Sequence, residues 1–354
     1  MRASDDSIAR VRAAIANIGR GHQVVLAGDH GKGEPNGHLM MAGSFASASS
    51  MAFMVRYGSG FVCASVTNSV CEVLGLVPMT GTIARPAGCY YTVSVDAVDC
   101  GTGISATDRA GTVRQLADPE ASRAMFSRPG HVMPHRGHTD GVLGHRGVAE
   151  ALTDLLKLAN LGEVGVYTAL ESTTNSLQEA DAAECIAFAE MHGLAWLTID
   201  DIVVWRCMME CHVERSFGPK ELDDAEQISA AGFTGTLSGI DYLVYLIGSA
   251  PVVDPLVRVH HETAVAAHLL APDPALLAAV DAVRVHGGGV VVLERWASGR
   301  LAASTPLLGA NLEWARAADI AQILEAVGVV QMSGPATVSA DELSSLTTCS
   351  LEKC

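Results

Sequence analysis

The stretch that decides the fold contains two motifs, GTGISATDRAGTVR at residues 101–114 and RPGHVMP at residues 128–134. Around it, segments rich in β-branched residues alternate with segments of 3.6-residue periodicity, and Gly and Pro stand at the joints. The strand-like segments are HQVVLAG, GFVCASV, YYTVSVDA, VGVYTAL and LAWLTID. The helical ones are SASSMAFMVRYGSG, ATDRAGTVRQLA, EALTDLLKLANLG and EADAAECIAFAEMHG. This pattern predicts an α+β domain with α/β-like alternation that ends near Arg206.

A second set of elements follows residues 211–230, a polar and charged segment that we predict to be a linker. Strands are predicted in TLSGIDYLVYLIG, PLVRVHH and GVVVLERW, and helices in PALLAAVDAVRVHG and ARAADIAQILEAVG. The tail PATVSADELSSLTTCSLEKC is expected to be loosely ordered. Because 354 residues suffice for two domains, we place the domains at 1–210 and 231–354.

Composition and charge indicate which kind of molecule the protein binds. The net charge is −16 and no Lys/Arg cluster occurs, which argues against nucleic acid, since neutralising phosphates requires clustered cations. No apolar run reaches the ~20 residues that a membrane span needs. The N-terminus predicts an amphipathic helix rather than a signal peptide, capped by Ser4 or Asp5. We therefore expect a cytoplasmic protein that acts on a small molecule. The apolar face of that first helix comprises Ile8, Val11, Ala14, Ile15 and Ile18.

The nine cysteines contain no CxxC pair, the spacing that most strongly signals zinc. Cys207, Cys211 and the adjacent His212 could form a metal clip on a helix. The simpler interpretation is a set of buried, reduced thiols in a cytosol.

Five stretches, in order, resemble the 3,4-dihydroxy-2-butanone 4-phosphate synthase family. They are MVRYGSGFVCASV, TVSVDAVDCGTGISATDRAGTVRQLAD, SRPGHVMP, DGVLGHRGVAEALTDLLKLANL and ECIAFAEMHGLAWLTIDDIVVWR, and the resemblance covers roughly residues 8–206. It implies the α+β fold of that family and a homodimer with active sites near the subunit interface. It also implies conversion of ribulose 5-phosphate to 3,4-dihydroxy-2-butanone 4-phosphate and formate with Mg²⁺, chemistry that needs acids and bases beside a metal.

The sequence departs from that family at residues that carry its chemistry. Glu34 matches the family's metal-binding Glu, but His38 stands where the family has an Asp. Val148 stands at the position of the second metal ligand, a His, and Ala169 at the position of a catalytic Glu. Valine offers no lone pair to a metal. We therefore predict that the family reaction does not run with its usual residues.

Other positions of the family pattern are kept, and they give the candidate site. His131 is predicted to be a general acid or base, with Glu34, Asp108 and Cys63 as further catalytic candidates; for Cys63 a buried packing role is the alternative. Arg109 is predicted to contact an anionic group, since a guanidinium suits phosphate or carboxylate. The other predicted substrate contacts are Thr102, Thr112, His145 and Arg146.

Histidines gather in the region of the altered residues, at 131, 135, 138 and 145, with His30 and His38 in the first loop. One hypothesis is a relocated divalent-metal site made of Glu34, His38 and His131, assisted by His135 or His138. Imidazole ligands would move its preference from Mg²⁺ toward Mn²⁺, Zn²⁺ or Fe²⁺. The alternative is a set of surface-loop histidines that bond to the backbone.

The second domain resembles GTP cyclohydrolase II in three short motifs, PLVRVHH, GVVVLERWASGRL and ADIAQILEAVGV, within roughly residues 233–335. That family holds zinc with three cysteines. Here Thr263 replaces the first cysteine, Pro272-Asp273-Pro274 stands near the place of the other two, and no cysteine occurs between Cys211 and Cys349. We predict a degenerate α+β domain without zinc and without GTP cyclohydrolase activity.

The function predicted from the sequence is that of a repurposed lyase or isomerase. Its substrate would be a small molecule with a carbonyl and hydroxyls, such as a sugar phosphate, in specialised metabolism. One alternative is a non-catalytic paralogue that binds a metabolite or regulates an active homologue. The other is residual 3,4-dihydroxy-2-butanone 4-phosphate synthase activity.

Overall fold

A computed structural model describes residues 2–28, 36–79, 90–175, 177–223, 227–248, 255–261, 274–296 and 310–329. The chain divides into two compact units. The first is Asp5–Trp205, and the second is Arg206–Cys354 together with Met1–Ser4.

Helices and strands alternate along the first unit much as the sequence predicts. Its helices are α1 (Arg2–Gly19), α2 (Ala48–Tyr57), α3 (Asn68–Leu74), α4 (Ala106–Leu116), α5 (Val148–Leu158), α6 (Ala182–His192) and α7 (Ile199–Met209). Its strands are β1 (Val24–Leu26), β2 (His38–Ala42), β3 (Cys63–Val66), β4 (Tyr90–Tyr91), β5 (Val95–Ala97), β6 (Phe126–Arg136), β7 (Val164–Ala169) and β8 (Ala195–Leu197).

These strands form one mixed sheet in the order β4-β6-β3-β7-β2-β1-β8, with β5 paired to β6. The β1–β8 and β3–β6 pairs are parallel, and the other pairs are antiparallel. Strand β7 lies between β2 and β3, so residues from distant parts of the chain become cross-strand neighbours. The sheet thereby contains β2, the strand β3 that follows the GSG turn, and the RPGHVMP segment of β6.

The main hydrophobic core lies against one face of this sheet. It joins residues of β2, β3, β6 and β7 to Met51 and Met54 of α2 and to Ala110 and Val113 of α4. Helix α5 contacts β2, β3 and β7, and its Leu152 lies over Gly165 of β7, where a side chain would collide with it. Packed helices therefore cover the strands that carry the candidate site.

Helix α1 has the apolar face predicted for it, since Ile8, Val11, Ala14 and Ile18 are all buried. The predicted cap is wrong, because the helix begins at Arg2 and runs through Ser4 and Asp5. The helix is joined to α7, where Asp201 accepts hydrogen bonds from Ser7 and Arg10. Side-chain hydrogen bonds to a distant part of the chain thus hold the N-terminal helix.

The second unit is a five-stranded sheet in the order β12-β13-β11-β10-β9 with two described helices. Its elements are β9 (Val213–Asp223), β10 (Ile228–Gly235), β11 (Ile240–Ile247), β12 (Leu256–His261), α8 (Pro274–His286), β13 (Gly289–Trp296) and α9 (Ala310–Ala326). Helix α8 packs on β11, β12 and β13, and Ile320, Ile323 and Leu324 of α9 join the core on Tyr242, Val244 and Val292.

The prediction of a linker at residues 211–230 is wrong. Most of it is β9, which pairs with β10 through the register Gly235↔Val213 to Ile228↔Asp223. A run of alternating charges looks like a linker, but β9 is an edge strand, and charged side chains are common on exposed edges. The predicted loosely ordered tail lies outside the described residues.

None of the helices in the described part of the chain is both long and apolar enough to span a membrane.

Candidate active site

A histidine and an aspartate form a doubly hydrogen-bonded pair in the first unit. The antiparallel pairing of β5 with β6 places Asp96 beside His131. The carboxylate of Asp96 accepts a hydrogen bond from the His131 amide at 2.8 Å, and its second oxygen lies 2.7 Å from His131 Nδ1. The Asp96 side chain is 9% exposed and that of His131 is 38% exposed. One ring edge is thus fixed to a buried carboxylate, while part of the ring can be reached from solvent.

The GTG turn at 101–103 packs against this pair. Gly103 has φ +81°, and a Cβ there would lie 2.0 Å from Asp96 Oδ2 and 2.7 Å from His131 Nδ1. A glycine is therefore required both by the backbone and by the close approach. Asp108 holds the turn, since its carboxylate accepts the amides of Gly101 and Gly103 at 3.2 Å each. These bonds, led by the hydrogen bond with Ser105, lower the pKa of Asp108.

Two of the predicted site residues form hydrogen bonds with the backbone of the protein. Thr112 is buried, and its hydroxyl accepts the Ala97 amide at 3.0 Å. In this conformation it supports the strand of Asp96, and its predicted contact with substrate stays a prediction. Arg109 donates to the Gly60 carbonyl at 2.9 Å, so it anchors the GSG turn. Thr102 is exposed in the GTG turn.

The replaced residues His38 and Ala169 are direct partners across β2 and β7. Cross-strand partners have side chains on the same face of a sheet. The resemblance places acidic residues at both positions, where two carboxylates would face each other. In this chain an imidazole faces a methyl group. His38 is 7% exposed, whereas Ala169 is partly exposed. Burial lowers the pKa of His38 to about 4, opposed in part by a backbone interaction with Asn36. The ring is therefore uncharged near neutral pH.

Tyr167, the second residue before Ala169, is the centre of a buried polar network on the same face. Its hydroxyl lies 2.6 Å from His135 Nδ1 and also bonds with Cys63 and Tyr91. His135 stacks on Tyr91 with ring centroids 4.2 Å apart. The Tyr167 ring meets His38 edge to face, at 5.6 Å between centroids. Burial raises the pKa of Tyr167 well above its usual value, so the phenol stays protonated.

Cys63 belongs to this network as a packing residue. It is 2% exposed, and burial raises the pKa of its thiol to about 12, with the Tyr167 hydrogen bond opposing the shift. A thiol must ionise to act as a nucleophile. Of the two sequence-based interpretations, the structure favours the buried packing role over the catalytic one.

The family's magnesium ion does not fit the residues present at the start of α5. Val148 is 3% exposed and has no atom that could bind a cation. Beside it, Glu150 is fully buried and accepts the His138 amide at 2.7 Å. His145 lies 3.3 Å from Glu150 Oε1, and Arg146 pairs with Asp200 at 2.5 Å. The predicted substrate contacts His145 and Arg146 are thus both engaged with carboxylates of the chain.

The relocated metal site remains a prediction, because Glu34 and His30 lie outside the described residues. Within the described ranges no three His, Cys, Asp or Glu side chains are grouped as a metal site. His138 accepts the Asp140 amide on its Nδ1 at 3.1 Å. The helical clip is wrong: α7 ends at Met209, Cys207 is buried and Cys211 is exposed. Of the GTP cyclohydrolase II-like motifs, Thr263, Pro272–Pro274, Gly299 and Arg300 lie outside the described residues.

Two residues of the site were not singled out from the sequence. Asp96 stands in the quoted motif TVSVDA, where an acidic side chain within a buried strand should have marked it, since a buried charge needs a partner. Tyr167 has no sequence signal, because its neighbours come from four strands.

The chain is similar to known proteins in sequence. The family model described as 3,4-dihydroxy-2-butanone 4-phosphate synthase matches residues 12–205. The riboflavin biosynthesis protein RibBA of Rhodococcus jostii is 39% identical over 305 residues, which cover 83% of this chain and 72% of the relative. RibBA of Mycobacterium marinum is 37% identical over 300 residues, covering 82% and 70%.

Two solved structures are similar as well. A 3,4-dihydroxy-2-butanone 4-phosphate synthase in complex with two magnesium ions is 37% identical with a TM-score of 0.50, covering 55% of this chain and 94% of that one. RibBX, a two-domain 3,4-dihydroxy-2-butanone 4-phosphate synthase from A. baumannii, is 25% identical with a TM-score of 0.70, covering 97% of both chains.

Proposed function

Because the chain belongs to the 3,4-dihydroxy-2-butanone 4-phosphate synthase family, we propose that it is an enolising lyase or isomerase acting on a small phosphorylated hydroxy-ketone. Membership in the family confirms the resemblance and the predicted fold of the first domain. The match with a two-domain relative agrees with a GTP cyclohydrolase II-like second domain. The named relatives act in riboflavin biosynthesis, and the altered residues argue for a different reaction in this chain.

The observation that carries the proposal is the His131–Asp96 pair. A carboxylate on Nδ1 fixes the imidazole in one tautomer and orientation, which leaves Nε2 as the proton acceptor. Nε2 of His131 has no protein partner within the described ranges. An imidazole held in this way is oriented for proton transfer. We propose that Nε2 takes a proton from the carbon beside the substrate carbonyl and returns it in a later step.

The remaining residues have supporting roles in the proposal. Arg109 and Arg146 are the proposed contacts for an anionic group, and their present bonds to Gly60 and Asp200 would exchange for substrate phosphate. Asp108 keeps the GTG turn against His131. The proposal derives no step through a metal ion, because Val148 cannot replace the family's ligand. A site that includes Glu34 is examined by the metal arm of the experiment.

The experiment measures enolisation directly and requires no knowledge of the product. Ribulose 5-phosphate is incubated with purified full-length protein in D₂O, and loss of the C–H signal beside the carbonyl is followed by proton NMR. Formate is measured in the same samples, without added metal and with Mg²⁺, Mn²⁺, Zn²⁺ or Fe²⁺. We expect deuterium exchange without stoichiometric formate, and loss of at least 100-fold in rate for His131→Ala.

The matched control is His22→Ala, an exposed histidine whose ring forms a hydrogen bond with Asn17, and it should exchange at the wild-type rate. Formate released in step with substrate under Mg²⁺ would show the family reaction and overturn the altered chemistry. No exchange, combined with tight binding of the sugar phosphate, would favour the non-catalytic paralogue. Exchange that appears only with an added metal would support the relocated site.

A further inference from the structure

A cavity of about 290 Å³ opens in the first unit where strands β3 and β6 end. Its lining comes from the residues that follow these two strands, from one face of α5 and from the loop before β7. All of these residues belong to the described ranges, and none of them has a role in the proposed function. The volume is close to the lower limit of small-molecule sites, about 300 Å³. The cavity is therefore a second concave site, large enough for a small metabolite.

The topology of the sheet explains why a cavity forms at this place. Strands β3 and β6 are parallel neighbours whose last paired residues are Val66 and Arg136, so their carboxyl ends lie side by side. Helix α3 follows β3 and joins the main core through Leu74. Helix α5 follows β6 and packs on the opposite face, where its Leu152 lies over Gly165, between two core valines of β7 that point the other way. In open α/β sheets, ligands bind in the crevice at the carboxyl ends of strands whose connections diverge in this way.

His138 presents a hydrogen-bond donor at this crevice. Its Nδ1 accepts the amide of Asp140 at 3.1 Å, and a Cβ at Gly144 would lie 1.9 Å from that nitrogen, so the Nδ1 edge faces the loop. A ring nitrogen that accepts a hydrogen bond carries no proton, and the proton of the neutral ring is therefore on Nε2. The His138 amide is itself held by Glu150 at 2.7 Å. The Nε2–H is thus the group that His138 offers to a ligand in the cavity.

Charged groups of both signs line the cavity. Asp154 and Lys157 stand one turn apart on α5; the buried carboxylate of Asp154 accepts the Val142 amide at 2.9 Å, and Lys157 is exposed. On the loop before β7, the carboxylate of Glu163 accepts the hydroxyl of Ser69 at 2.7 Å. Two carboxylates against one ammonium give the lining no excess of positive charge, which disfavours a phosphate or carboxylate ligand. The same groups both accept and donate hydrogen bonds, as the hydroxyls of a ligand require.

We infer that this cavity binds an uncharged polyol, a pentose or the ribose of a nucleoside, through adjacent hydroxyl groups. A hydroxyl both donates and accepts a hydrogen bond, so it can pair with the N–H of His138, the ammonium of Lys157 and the carboxylate of Asp154. Val66 and Leu161 add apolar surface to the lining, against which the carbon atoms of the polyol, or the base of a nucleoside, would pack. This ligand differs from the phosphorylated hydroxy-ketone of the proposed function, and neither proposal depends on the other.

The experiment measures binding to the full-length protein by saturation-transfer NMR, with uridine and D-ribose as the probes. We expect saturable binding of at least one of them. D-ribose that binds alone or as tightly as uridine identifies a free polyol, and tighter binding of uridine identifies a nucleoside. The charged counterparts, uridine 5′-monophosphate and D-ribonate, should bind about tenfold more weakly than the uncharged probes, because the lining has no excess of positive charge.

Two variants test the lining. His138→Asn keeps an acceptor for the Asp140 amide but removes the Nε2–H, and Lys157→Ala removes the exposed ammonium. Each should weaken binding of the uncharged probe about tenfold, as expected for one lost hydrogen bond. Lys220→Ala, which removes an exposed lysine of the second unit, is the matched control and should bind like wild type. Thermal midpoints of the three variants, measured in the same buffer, show whether the fold is retained.

The inference is overturned if neither probe binds saturably, if the charged counterparts bind as tightly as the uncharged probes, or if both lining variants bind like wild type. Equal weakening by Lys220→Ala would also overturn it, by showing an effect unrelated to the cavity. An excess of ribulose 5-phosphate should leave binding of the uncharged probe unchanged. Displacement of the probe would place it in the proposed active site and would overturn the second site.

Discussion

Asp96 holds His131 by both its backbone and its side chain, accepting the amide at 2.8 Å and facing Nδ1 at 2.7 Å. The two residues come from strands that pair out of regular register, with an irregularity between Val95 and Asp96. Such an irregularity re-aims a side chain without removing it from the sheet. The arrangement makes Asp96 a positioning residue for His131, which leads to the first prediction.

Asp96→Asn should lower the deuterium-exchange rate by roughly 100-fold, because an amide can donate to Nδ1 and so favour the tautomer with a protonated Nε2. The amide oxygen can still accept the His131 N–H, so the fold is expected to remain. The measurement is exchange by proton NMR together with the thermal midpoint. Asp99→Asn, an exposed neighbour, is the matched control. An unchanged exchange rate in Asp96→Asn would remove the pair from the mechanism.

The sequence predicted the fold of the first domain well, because its motifs and periodic segments are local signals. It could not predict that His38 faces Ala169, since strand pairing between residues 131 positions apart has no local signature. The burial of Thr112 and Cys63 could not be predicted for a related reason: burial is decided by packing that a motif does not encode.

The second prediction concerns magnesium. Protein dialysed against EDTA should exchange deuterium at the same rate as protein with Mg²⁺, because the residue at the family's ligand position is Val148. Rates with and without Mg²⁺ are compared in metal-free buffer, and bound metal is measured by mass spectrometry. The two-magnesium relative serves as the positive control for the metal assay. Stimulation of tenfold or more by Mg²⁺ would contradict the prediction.

The third prediction concerns thiol reactivity. Iodoacetamide at pH 8 should leave Cys63 unmodified in the folded protein, since burial raises the pKa of its thiol to about 12. Cys211 is exposed and should be alkylated under the same conditions. Peptide mass spectrometry gives the extent of modification at each site, and protein unfolded in urea shows that Cys63 can be alkylated. Rapid labelling of Cys63 in the folded state would restore the reactive-thiol hypothesis.

The fourth prediction concerns a buried carboxyl in the second unit. Asp319 of α9 is fully buried, and its Oδ2 accepts the hydroxyls of Ser238 at 2.5 Å and Tyr242 at 2.9 Å. Glu294 lies close enough to repel a second negative charge. Burial, the larger effect, raises the pKa of Asp319 to about 7, against the hydroxyl hydrogen bonds. Arg316 pairs with Glu294 at 2.8 Å and partly compensates its charge.

The sign of the pH dependence follows from the two protonation states. The folded carboxyl keeps its proton up to about pH 7, whereas the unfolded one releases it near pH 4. Between these values the folded state binds more protons, so this group lowers the free energy of unfolding as the pH rises from about 4 to about 7. Above about pH 7 the free energy of unfolding stays lower by the full contribution of this group. Three pKa units give an upper bound of about 4 kcal/mol.

Asp319→Asn should remove this penalty, because an amide oxygen can accept both hydroxyls and carries no charge. We expect the free energy of unfolding to rise by about 1–3 kcal/mol at pH 8 and to change little at pH 5. Urea unfolding followed by circular dichroism at both values measures it, with the exposed Asp281→Asn of α8 as the control. If the variant is destabilised equally at both pH values, the carboxylate contributes through its hydrogen bonds, and the raised pKa of Asp319 is refuted as the source of the pH dependence.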